Sequence, residues 1–113
     1  MDYVYETYED VLIQVVDLTR ATLKEANEFK STLSKKIEEG YRKIVIDLSH
    51  CEFIDSTFLG ALVVSLKNVT ALGGDLRLVG FHPAVYQMIQ QTKMYRVFEI
   101  FSTKDAAIKS YNP

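Results

Sequence analysis

Cysteine, histidine, tryptophan and a dominant charge of one sign are all scarce or missing in this chain. Cys51 is the single cysteine, so no internal disulfide can form, which fits a reducing compartment. His50 and His82 are the only histidines, and with one cysteine they make no recognisable metal-ligand spacing. His50-Cys51 are adjacent, but no third residue completes a nucleophilic constellation around them. Gly73-Gly74 and Gly80 match neither of the glycine signatures that cradle a phosphate or a dinucleotide, so no cofactor is expected. The 13 basic and 15 acidic side chains leave a formal charge of −2, without the basic footprint that direct nucleic-acid binding requires. No apolar run approaches the roughly 20 residues of a membrane-spanning helix. The N-terminus, M-D-Y-V-Y-E-T-Y-E-D, is acidic and lacks the basic-then-apolar pattern of a signal segment. The expectation is a cytoplasmic domain without membrane insertion, its membrane contact limited to whatever a partner provides.

What is present reads as one globular domain spanning 1–113, with 48% apolar and 25% charged residues. Val4 to Thr7 predict a short strand, and Val11 to Val16 a stronger one. Tyr3, Tyr5 and Tyr8 are read as edge packing. Thr22 and Glu25 form a capping-box pattern before a helix whose apolar face is Leu23, Ala26, Phe29, Leu33 and Ile37. Gly40 ends it. Ile44 to Leu48 predict a central strand covered on both faces, with Asp47 near its end. Leu59, Leu62, Val63, Leu66 and Val69 mark the inward face of a second helix, which Gly73-Gly74 terminates. A strand from Asp75 to Gly80, a helix from His82 to Gln91 with Pro83 at its start, and a strand from Val97 to Phe101 follow. Ser102 and Asp105 are then placed to cap a terminal helix reaching Tyr111. The alternation predicts an α/β fold with a four- or five-stranded mixed, mostly parallel sheet and about four packed helices.

The informative junction is Asp55-Ser56-Thr57, between a buried-looking strand and an apolar helix. In the plain structural reading, Ser56 or Asp55 caps the helix, Thr57 occupies its first turn and Leu59 begins the core face. In the functional reading, the same unpaired backbone N–H groups favour an anion, and phosphorylation there would change an interface.

The stretch F-I-D-S-T-F-L-G, Phe53 to Gly60, resembles the STAS family, especially its anti-sigma factor antagonists, in which Asp-Ser-Ser/Thr-Gly-Leu-Gly opens a helix. The resemblance implies that Asp55 is the motif aspartate, Ser56 the first hydroxyl and Thr57 the hydroxyl phosphorylated by an anti-sigma factor serine/threonine kinase. Ser56 is the second-choice acceptor. It also implies that Leu59 is the core leucine and Gly60 a close-packing glycine. A partner surface would include Asp55, Ser56, Thr57, Phe58 and Thr19. Two residues depart from the pattern. Phe58 replaces a small glycine, and in V-D-L-T, similar to a family G-x-L-D segment, Thr19 stands where aspartate is usual. The implied mechanism is partner switching. The unphosphorylated protein binds the kinase and stops it sequestering a sigma factor, phosphorylation releases it, and a separate phosphatase resets the site. The domain would then be substrate and ligand, not catalyst. The alternatives are a non-phosphorylated STAS scaffold or sensory module anchored by an exposed Phe58 ring and, more remotely, an enzyme of unrecognised class.

Overall fold

Three apolar strands form the centre of the sheet because each must bury side chains on both faces. The structure is a computed structural model and describes residues 3–113. Strand β1 (Tyr3–Tyr8) runs antiparallel to β2 (Val11–Val16), and β4 (Lys43–Asp47) and β6 (Asp75–Val79) continue the sheet in parallel. A last short strand, β7 (Ile100–Phe101), completes the order β1-β2-β4-β6-β7. This is the five-stranded form of the expected mixed sheet. The intervening short β3 (Arg20–Ala21) and β5 (Phe53–Ile54) form a separate parallel ribbon that the sequence pattern did not reveal.

Four α-helices among the described residues cover the two faces unequally. Helices α1 (Leu23–Glu38), α2 (Ser56–Thr70) and α3 (Pro83–Gln91) join Leu12, Val16, Ile44, Ile46, Leu76 and Leu78 in the larger apolar cluster. Helix α4 (Lys104–Tyr111) lies on the opposite face with Val11, Ile13, Val15 and Val45. The odd and even residues of β2 thus enter different clusters, as the two-residue period of a strand requires. No helix among the described residues is long and apolar enough to cross a membrane.

Several local expectations change. Leu23 is exposed at the first position of α1, so the buried face begins at Ala26. Thr22 does occupy the N-cap position, but its hydroxyl donates to Glu25 Oε2 at 3.2 Å and caps no backbone N–H. The final strand is shorter than Val97 to Phe101. A 3₁₀ turn over Met94–Arg96 precedes it, and Phe98 turns into the core before pairing resumes at the Glu99 carbonyl. Thr103, not Ser102, caps α4 by accepting from Ala106 N at 3.1 Å. Of the edge tyrosines, Tyr3 is buried, Tyr5 half-buried beneath the Lys36 ammonium, and Tyr8 exposed.

Candidate functional site

Asp55 organises the junction by serving two helices at once. Its backbone is extended at the N-cap of α2, and Oδ1 accepts from Phe58 N at 2.8 Å. Its other oxygen, Oδ2, accepts from Leu23 N at 2.9 Å, satisfying the first N–H of α1. The group that the Thr22–Glu25 box was expected to supply therefore comes from 32 residues away. Asp55 N also donates to Ala21 O at 3.2 Å, so the starts of both helices are fastened to the β3–β5 ribbon. One short carboxylate fits this position because both N–H groups converge where two helices begin.

Ser56 and Thr57 occupy the first two positions of α2, and both are exposed. They sit on a rigid platform. Phe58, Leu59, Ala61, Leu62, Ser65, Leu66 and Val69 are buried behind them, so the hydroxyls face solvent from a helix firmly seated on the sheet. Leu59, Leu62, Leu66 and Val69 meet the expected inward pattern, while Val63 is only partly buried.

Phe58 does not present the exposed ring expected of a partner anchor. It is fully buried, 4.9 Å between centroids from Phe29, which in turn meets Tyr3 edge-on at 5.8 Å. The extra volume beyond glycine is absorbed by an aromatic row running from α2 across α1 to β1. Gly60 corrects a second expectation. It is exposed, and a Cβ built there would meet nothing within 4 Å, so close packing does not require glycine. Gly74 is tightly confined instead: an added Cβ would collide with the Arg42 carbonyl and lie 2.7 Å from Val69 Cγ2.

Thr19 lies just before β3, and its backbone has a defined role. Its carbonyl accepts from Glu52 N at 2.8 Å and Phe53 N at 3.2 Å, leading the chain into the ribbon, while the residue itself is exposed. Its neighbour Arg20, not singled out from sequence, is also exposed and rests its guanidinium over the Phe53 ring at 4.2 Å. A two-residue strand has no readable periodicity, which is why this contact had no advance signal.

Cys51 is buried, and its thiol donates to the Phe53 carbonyl at 3.2 Å. Burial pushes that thiol's pKa up, the opposite of what an activated nucleophile needs. His50 is exposed, and His82 stands at the start of α3 with Nε2 3.2 Å from the Ser49 carbonyl. Among the described residues, no group of three or more His, Cys, Asp or Glu side chains is placed to hold a metal ion.

With this geometry in hand, comparison with known proteins is informative. The STAS domain model matches residues 6–107. A candidate anti-sigma factor antagonist of Thermotoga neapolitana is 32% identical over 106 residues, covering 93% of each chain. The crystal structure of a candidate anti-sigma factor antagonist from Thermotoga maritima is similar with a TM-score of 0.89 and 28% identity, covering 98% of this chain and 95% of that one. The fold is also that of the anti-sigma factor antagonist SpoIIAA in its unphosphorylated form, with a TM-score of 0.83 at 16% identity over 97% of this chain and 96% of that one. The Bacillus SpoIIAA in its phosphorylated form gives a TM-score of 0.74 at 15% identity, over 96% and 98% of the two chains.

Proposed function

The chain belongs to the STAS domain family, and we propose that it acts in partner switching as an anti-sigma factor antagonist. Unphosphorylated, it binds an anti-sigma factor serine/threonine kinase; phosphorylation at the start of α2 releases it, and a separate phosphatase restores it. The observation that carries this reading is the Ser56–Thr57 pair, exposed at the first turn of a helix whose opposite face is buried. A phosphate there adds about −1.5 to −2 charges at neutral pH, enough to ruin a close-fitting surface without unfolding the helix behind it. Local backbone N–H groups and the helix dipole tolerate that charge, so the modification acts on the interface in preference to the fold.

Thr57 is the proposed acceptor. Ser56, one residue earlier and also exposed, has the less hindered primary hydroxyl and is the alternative. Asp55 serves this reading as the strut that fixes the start of α2 relative to α1, and the proposed partner surface extends to the exposed Thr19. The scaffold alternative was to draw its anchor from the Phe58 ring, and burial of that ring removes its physical basis. Incubation with candidate anti-sigma kinases and ATP, followed by site-resolved mass spectrometry of wild type, T57A and S56A, tests the assignment. Phosphate on Thr57, abolished in T57A, is expected. Modification confined to residues outside the 56–57 pair would reject the acceptor site.

A further inference from the structure

We propose that Arg20 holds the phosphoryl group once the hydroxyl pair opening α2 is phosphorylated, an inference that rests on the acceptor reading above. Arg20 is an exposed cation, and none of the ion pairs among the described residues includes it. Its guanidinium instead lies over the Phe53 ring at 4.2 Å. Two hydrogen bonds tie its segment to the junction: Asp55 N donates to Ala21 O at 3.2 Å, and Leu23 N to Asp55 Oδ2 at 2.9 Å. Arg20 is the residue before Ala21, and Ser56 the residue after Asp55. Arg20 itself is in register with Phe53, three residues before Ser56, so its long side chain starts one residue from backbone bonded to Asp55.

Among the described residues no carboxylate forms an ion pair with it, Asp17 and Glu52 included. Both Asp55 oxygens accept backbone N–H groups, and Glu25 accepts the Thr22 hydroxyl. Position 19, beside it, carries threonine and no charge. An exposed cation–π contact is weak, whereas a planar guanidinium can bind phosphate through two parallel charge-assisted hydrogen bonds. Phosphorylation thus draws the guanidinium off Phe53 and onto the new dianion. The modification then changes two features of one surface together: the charge at the start of α2 and the position of Arg20 on the adjoining ribbon. A partner that fits the unmodified face loses both.

The test uses full-length protein with phosphothreonine installed at position 57, or phosphoserine at position 56, during translation, so that no kinase is needed. Each form is prepared with Arg20, R20Q and R20K, and the phosphate is titrated by ³¹P NMR. A free phosphoryl group has its second pKa near about 6. A nearby cation favours the dianion, so the Arg20 protein should titrate about half a pH unit or more below R20Q at one or both positions, with R20K between them. The Phe53 ring resonances should shift on phosphorylation in the Arg20 protein and stay fixed in R20Q. Superimposable titrations of Arg20 and R20Q at both positions would overturn the proposal. That result would leave the acceptor assignment standing, because the kinase experiment tests it separately by mass spectrometry.

Discussion

Replacing Asp55 should separate its two structural duties. Its oxygens accept from Phe58 N at 2.8 Å and from Leu23 N at 2.9 Å, one at the start of each helix. Losing one N-cap interaction typically destabilises a protein by about 0.5–2 kcal/mol. D55A removes both and should lower stability by roughly 1–4 kcal/mol, with about 2 as the central figure. D55N keeps one carbonyl oxygen, so it should retain one cap and show about half the effect. Urea unfolding followed by circular dichroism measures the difference, and in a domain of this size each kilocalorie lowers Tm by roughly 4–8 °C. Amide hydrogen exchange assigns the loss: D55A should speed exchange at both Leu23 and Phe58, and D55N mainly at one of them. Equal destabilisation by D55N and D55A, or a loss in D55A under about 0.5 kcal/mol, would refute the two-helix account.

Four further outcomes follow from packing. G60A should raise stability by about 0.8–1 kcal/mol in chemical unfolding, since its Cβ enters open space in a helix where alanine is favoured; destabilisation would contradict the open environment. L62A should lower stability by about 2–5 kcal/mol and F58A by about 3–5 kcal/mol, because both side chains are fully buried; an F58A change under about 1 kcal/mol would argue against the aromatic row. Cys51 should react negligibly with a thiol reagent in native protein at mildly alkaline pH and fully once unfolded in urea, because burial both shields the thiol and raises its pKa. Native reaction at the rate of a free thiol would contradict that environment.

The sheet and most helix faces were legible because they depend on period. Ile44 to Leu48 had to be buried on two sides, and Leu59, Leu62, Leu66 and Val69 share a helical face whatever surrounds them. What stayed hidden depends on contacts between distant residues. Asp55 could be read as a cap for its own helix, but nothing local announces that it also caps α1. Phe58 looked exposed because the motif position is ordinarily small; only the arrival of Phe29 from α1 supplies a place for its ring. Glycine packing stayed hidden for the same reason. Gly74 is confined by the Arg42 carbonyl, a neighbour that no local pattern specifies, while Gly60 faces outward. The Ser56–Thr57 pair was singled out through the resemblance to the STAS motif, and both residues are exposed at the start of α2.

The most direct measurement is the affinity of one cognate anti-sigma kinase for folded wild type, T57A and protein stoichiometrically phosphorylated on Thr57, with phosphate position verified by mass spectrometry. Wild type and T57A should bind with similar Kd. The phosphorylated form should bind about 100-fold or more weakly, equivalent to at least about 2.7 kcal/mol. Retention of wild-type affinity after complete phosphorylation of Thr57 would contradict release by modification at this helix start.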